Sequence, residues 1–192
     1  MYDRVRAANV VPDIVINNAG SGGHGAFVDR DLEADLAMID LNVKALVTLC
    51  HRFGRDMADG QGSKILNVSS TAAHMPGPLQ ASYVATKAFA SSFSQAIAEE
   101  LRRKGVTVTA LEPGYVHTEF AAAADLEGAK LVAQKGGTPD QVAKIGCDAM
   151  MDGRLTVINE KQLAFMLDWV MPLMPAKMQL SMIRGMQEKT GT

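Results

Sequence analysis

Tyr83 and Lys87 stand four residues apart in Tyr83-Val84-Ala85-Thr86-Lys87, and on a helix that spacing puts both on one face. An ammonium beside a phenol favours the phenolate. The pair therefore predicts a Tyr83 pKa pulled down from about 10 toward the working pH. A tyrosine so tuned passes a proton to or from a substrate oxygen. Ser70 lies 13 positions earlier, with Met75-Pro76-Gly77-Pro78 in the loop between. That loop lets a strand end face a helix start, so the Ser70 hydroxyl can reach the same substrate oxygen. A tyrosine and lysine at this spacing carry little information alone. With Ser70 behind an apolar strand, they point to acid–base chemistry at a substrate oxygen.

The elements that must position these groups are legible. Apolar, β-branched runs at 13–17, 64–69 and 106–111, with a weaker one at 155–158, predict buried strands. A three-and-four repeat predicts a helix over 32–57, N-capped by Asp31. A second helix over 82–104 ends in Arg102, Arg103 and Lys104 and is closed by Gly105. Strand–helix alternation predicts right-handed βαβ units in a parallel sheet. Asn17-Asn18-Ala19-Gly20, Ser69-Ser70 and Pro113-Gly114-Tyr115-Val116-His117-Thr118 then fall at C-terminal strand ends, where open parallel sheets bind ligands. Beyond Thr118 a substrate-loop region over 119–153 is expected. It holds a helical stretch from Ala121 to about Lys135 and a helix from Thr138-Pro139-Asp140 to Met151. The segment 162–187 is a Met- and Leu-rich extension.

Composition narrows the classes. The 192 residues carry a net charge of −2 and 47% hydrophobic residues, enough for a core. There is no basic excess for nucleic acid. Cys50 and Cys147 form no CxxC pair and are expected as buried thiols in a cytoplasmic protein. His24, His51, His74 and His117 lack metal-ligand spacing, so no metal and no role are expected of them. No leader or membrane-spanning segment is read. Gly20-Ser21-Gly22-Gly23-His24-Gly25 matches the dinucleotide fingerprint, but residues 26–28 read as extended where a helix should begin. It is taken as a flexible loop. The sequence around Ser70 lacks G-x-S-x-G, which excludes a nucleophile elbow.

The ordered set Asn17-Asn18-Ala19-Gly20, Asn42, Asn67-Val68-Ser69-Ser70, Tyr83-Val84-Ala85-Thr86-Lys87 and 113–118 resembles the short-chain dehydrogenase/reductase family from about Pro12 through Thr118. The resemblance implies an NAD(P)-dependent oxidoreductase that interconverts a carbonyl and an alcohol, on a hydrophobic small molecule if the tail is a guide. It implies Tyr83 as acid/base and Ser70 as the group orienting the substrate oxygen. Lys87 would hold the nicotinamide ribose, and Asn42 a water in a proton relay. Asn18, Ala19 and Gly20 would line the ribose. Pro113, Gly114, Val116 and Thr118 would hold the nicotinamide end. Ser69 is structural in this view.

The family's T-G-x-x-x-G-x-G turn is missing. The expected fold is a single partial domain over 1–192: an α/β Rossmann-like, doubly wound parallel sheet, N-terminally truncated, with its first three strands absent and an unpaired sheet edge. NAD and NADP are not distinguished, and impaired binding is expected. The family pairs through helices corresponding to 32–57 and 82–103, which implies a homo-oligomer. For the tail, packing or an oligomer contact is favoured over a substrate lid, and both over a membrane-surface helix. The alternative function is a truncated, non-catalytic oligomerisation or interaction module that retains these residues.

Overall fold

The computed structural model describes residues 1–58, 62–132 and 136–189. In chain order the elements are α1 (Tyr2–Ala7), β1 (Ile14–Asn17), α2 (Leu32–Ile39), α3 (Leu46–Met57), β2 (Ser63–Val68), α4 (Ala81–Arg102) and β3 (Val106–Leu111). They continue with α5 (Phe120–Ala123), α6 (Pro139–Met151), β4 (Thr156–Val157), α7 (Lys161–Phe165) and α8 (Ala176–Gln187). The four strands form one parallel sheet in the order β1-β2-β3-β4. Val15 pairs with Ile65, and Ile65 with Val108. This is the α/β architecture read from the alternating runs.

β2 and β3 are apolar on both sides because helices cover both sheet faces. On one face, Phe53 and Met57 of α3 and Ala90 and Ala98 of α4 pack on Val15, Ile65, Val106 and Val108. On the other, Val142, Ala149 and Met150 of α6 pack on Leu66, Leu111 and Val157. Another cluster packs the tail, through Leu167, Met171 and Ile183, with Met75 and Ile158.

β1 is different. Val15 is buried, but Ile14 and Ile16 are 44% and 50% exposed, and no strand pairs with the outer edge of β1 among the described residues. An apolar strand with a free edge pairs readily with another chain. The protein is therefore expected to self-associate as its concentration rises. Ile16→Lys should shift light scattering toward smaller species, and an unchanged size distribution would place the association elsewhere.

Several boundaries differ from the sequence expectation. The helix over 32–57 is wound as a π-helical turn at Asp40–Ala45, between α2 and α3. Asp31 does cap it, accepting from the Glu33 N–H at 2.9 Å. Residues 27–29 form a 3-10 turn rather than extended chain. The stretch from Ala121 is helical only to Ala123, because Asp125 takes φ +54 and the chain turns; residues 133–135 lie outside the described residues. Thr138 starts α6 with a reciprocal capping box through Gln141. The fourth strand keeps only Thr156 and Val157. The tail breaks at Pro172 and Pro175, which separate a π-helical turn and a 3-10 turn (Met166–Leu173) from α8. No described helix is long and apolar enough to cross a membrane. Cys50 is buried as expected, its thiol pushed up to about 11 by burial, but Cys147 is exposed.

Candidate active site

Ser70 follows β2 in extended conformation, and its Oγ accepts from the Ala72 N–H at 3.1 Å, capping a 3-10 turn at Thr71–His74. The same hydroxyl reaches the Pro113 carbonyl at 3.5 Å. Thr71 donates to that carbonyl at 3.0 Å from its backbone N–H. Strand ends β2 and β3 are thereby laced together where ligands meet parallel sheets. Ser69 turns inward and donates to the Lys87 carbonyl at 2.8 Å, which is the structural role expected of it. Asn17 also faces inward, donating to Asn67 at 2.8 Å, and Asn67 donates to Ser94 of α4 at 2.9 Å.

Tyr83 lies in the first turns of α4. It is buried against Met38, Val84, Ala72 and Phe120, with the Phe120 ring centroid 5.5 Å away. Burial pushes the phenol above its ordinary value, while a hydrogen bond with the Ser70 side chain acts in the opposite sense. This corrects the expectation of a lowered Tyr83 pKa. Lys87 is on the same face, but its Nζ sits 5.9 Å from the ring centroid. Desolvation of the phenolate outweighs it.

Lys87 is itself 7% exposed. Its Nζ donates to the Val68 carbonyl at 3.0 Å, and burial lowers its pKa to about 8. That carbonyl is its one acceptor among the described residues, which leaves two of three N–H groups for a ligand.

Asn42 sits in the π-helical turn. The extra residue per turn aims its carboxamide at the loop after β1, where Nδ2 donates to the Ser21 carbonyl at 2.9 Å and to Thr86 Oγ1 at 3.0 Å. Its Oδ1 accepts from the Ser21 N–H at 3.0 Å. Gly20 lies between the two polar groups: a Cβ there would stand 3.3 Å from Asn42 Oδ1 and 3.4 Å from Lys87 Nζ.

The structure brings Ser70, Tyr83, Lys87, Asn42 and Gly20 together. Asn18 and Ala19 are exposed beside them. Pro113 joins them through its carbonyl, and the rest of the 113–118 segment is engaged elsewhere. Gly114 N–H donates to Asn159 Oδ1 at 2.9 Å, and Val116 bridges to Gly137. The exposed Thr118 accepts from Phe120 N–H at 3.3 Å, opening α5. Phe120 was missed by sequence reasoning, since nothing local marks a ring that travels back to cover Tyr83.

The Gly20–Gly25 loop is pinned rather than flexible. Arg30 fills the space a Cβ on Gly23 would need and donates to the His24 carbonyl at 2.9 Å. His24 Nε2 lies 2.8 Å from the Gln187 carbonyl. A Cβ on Gly22 would meet Phe120 Cζ at 2.5 Å and Ala124 at 3.1 Å. Gly22→Ala is accordingly expected to lower stability by about 1–3 kcal/mol, read by urea unfolding; no loss would mean the ring moves freely.

For a nicotinamide cofactor the fit is one-sided. The buried, under-bonded Lys87 ammonium beside the open backbone of Asn18–Gly20 suits a ribose diol. The glycine loop, filled by Arg30 and Phe120, offers no phosphate cradle.

The model of the family described as short chain dehydrogenase matches residues 2–128. The probable oxidoreductase EphD of Mycobacterium tuberculosis is 32% identical over 168 residues, 83% of this chain and 28% of that protein. A 3-oxoacyl-[acyl-carrier-protein] reductase of Synechocystis is 34% identical over 108 residues, 56% of this chain and 44% of that one. A short-chain dehydrogenase from Sphingobium yanoikuyae, solved in complex with NADPH, superposes with a TM-score of 0.73 at 27% identity. The match covers 83% of this chain and 61% of that one. The chain thus spans less than two thirds of each of these relatives. With two thirds of its length matched by the family model and its serine, tyrosine and lysine gathered at one sheet end, this chain belongs to the short-chain dehydrogenase family.

Proposed function

We propose that the chain forms the catalytic and nicotinamide-ribose portion of an NAD(P)-dependent oxidoreductase that interconverts a carbonyl and an alcohol on a hydrophobic small molecule. One observation carries this: the Ser70 hydroxyl, the Tyr83 phenol and the Lys87 ammonium converge at the β2 end. The bound cofactor, NAD or NADP, supplies or accepts the hydride. Tyr83, held protonated by burial, gives its Oη proton to a carbonyl oxygen that Ser70 also bonds; in oxidation the proton moves back. Lys87 binds the ribose hydroxyls, which Asn18, Ala19 and Gly20 flank. Asn42 braces Ser21 and, through its second Oδ1 lone pair, holds a water beside Lys87. Pro113, Gly114, Val116 and Thr118 border the nicotinamide end; Gly114 and Thr118 first release Asn159 and Phe120.

In this proposal residues 1–192 are one partial domain, with 119–153 bounding the substrate and 162–187 covering it. Exposed Phe165, Trp169 and Leu173, at 64%, 69% and 85%, support an apolar substrate or a neighbouring subunit. A homo-oligomer would use the outer face of α4, where Phe89 stacks on Phe93 at 5.5 Å. Two free thiols support a cytoplasmic setting.

Calorimetric titration of the full chain with NADH and with NADPH tests the cofactor reading. Measurable binding of either, weakened by the lack of a phosphate cradle, is expected, and it should disappear in Lys87→Met. Absence of binding by both in the parent chain would refute it.

A further inference from the structure

The proposed reaction makes no use of a carboxyl group that is 1% exposed, Glu112 at the end of β3. Burying such a group is unfavourable unless partners meet it, and here two do. Oε1 accepts a hydrogen bond from Ser91 Oγ, and Oε2 lies 2.8 Å from His74 Nε2. These partners come from the elements that carry the candidate catalytic groups. Ser91 is one helical turn beyond Lys87 on α4. His74 closes the turn that Ser70 opens. Glu112 itself precedes Pro113, whose carbonyl receives Ser70 and Thr71. One carboxyl therefore joins the strand end, the serine loop and the tyrosine helix. The junction continues outward, because His74 Nδ1 lies 4.0 Å from Asp168 Oδ1 in the tail. Two carboxylates facing one imidazole, one hydrogen-bonded and one at ion-pair distance, favour its charged form.

We propose that Glu112 and His74 are positioning residues for the Ser70–Tyr83 pair, and that protonated His74 clasps the C-terminal tail to them through Asp168. The positioning role rests on the proposed reaction; the clasp does not. The charged groups around His74 are Glu112 from β3, Asp168 from the turn after α7, and Arg154 from the turn before β4, which lines the same recess. α4 presents only Ser91 and Gln95 there. The Glu112 hydrogen bond, foremost, raises the His74 pKa above 6.5; Asp168 adds to this, and burial opposes it. A raised histidine contributes its full stabilisation below 6.5 and loses it as pH rises through the folded-state value. The His74–Asp168 contact is strongest in acid and weakens as pH rises through the folded-state value.

Trp169, the single tryptophan, adjoins Asp168 and reports on the clasp. In the full chain, NMR of the His74 ring is expected to show a midpoint above 6.5, with Trp169 fluorescence and the Tyr83 ring signals moving through the same midpoint. Asp168→Asn should lower that midpoint and uncouple Trp169, and Glu112→Gln should lower it further. Asp168 is half exposed, so its variant decides the matter if Glu112→Gln does not fold. A midpoint at or below 6.5, or one that Asp168→Asn leaves unmoved, overturns the clasp. Tyr83 signals that stay still through the His74 titration overturn the positioning role. In turnover, His74→Gln should lower kcat roughly tenfold with cofactor KM within about twofold, and an unchanged kcat speaks against positioning. A parent chain without turnover refutes the proposed reaction, while the His74 and Trp169 titrations still decide the clasp.

Discussion

Tyr83→Phe is expected to lower turnover by about 10²–10⁴-fold, the usual contribution of a positioned acid–base group, and to leave the fold intact. The substitution removes one oxygen and keeps the ring, which is what packs on Met38, Val84 and Phe120. The stability change should stay near 1 kcal/mol, the net worth of one hydrogen bond, and cofactor affinity should persist, since Lys87 and the Asn18–Gly20 backbone are untouched. The rate at which the reduced nicotinamide is consumed over a panel of apolar ketones, with urea unfolding alongside, separates the outcomes. Turnover that survives the substitution excludes Tyr83 as the proton donor. A parent chain that binds no cofactor and turns over nothing points to the non-catalytic module instead. Ser70→Ala should be milder, because Ser70 shares the substrate oxygen with Tyr83 and exchanges no proton itself.

What the sequence made legible here was local. The i, i+4 placement of Tyr83 and Lys87, the capping of helix starts by Asp31 and Thr138, and the burial of β2 and β3 on both faces all follow from neighbours within a few residues. What it hid depends on distance along the chain. The arithmetic of a lysine beside a tyrosine ignores the burial of the phenol among Met38, Val84 and the distant Phe120, and that burial raises its pKa. The apolar repeat from Leu32 to Met57 reads as one helix, because nothing in a three-and-four pattern marks the π-helical turn that swings Asn42 onto Ser21. His74 and Glu112 are 38 positions apart, so no spacing rule joins them, and His74 looks like any loop histidine. Thr118 shows the converse: its hydroxyl accepts a local turn bond from the Phe120 N–H just ahead of a short helix, and a family resemblance does not reveal that.

Lys87→Met is expected to make the protein more stable and less able to bind cofactor. The Lys87 pKa falls from 10.5 to about 8, with burial as the cause. At about 1.4 kcal/mol per unit, the buried charge opposes folding by on the order of 3 kcal/mol at neutral pH. Removing it also removes the bond to the Val68 carbonyl, which returns about 1 kcal/mol or somewhat more. A net gain of about 1–2 kcal/mol should remain, read by urea unfolding at pH 7. The pH dependence identifies the cause. Between about 8 and 10.5 the unfolded lysine holds a proton that the folded one has released, so the parent gains stability as pH rises through that window. Lys87→Met lacks that rise, so the two curves should cross within that window, with the parent the more stable at alkaline pH. Equal stability at pH 7, or parallel curves throughout, would show that the ammonium is better solvated than its burial implies. An ammonium kept dry with, among the described residues, one backbone acceptor and no carboxylate beside it destabilises the protein that contains it. Its two remaining N–H groups point to a partner rich in hydroxyl oxygens, and the loss of NAD(P)H binding in the same variant is the measurement that connects the strain to the ligand.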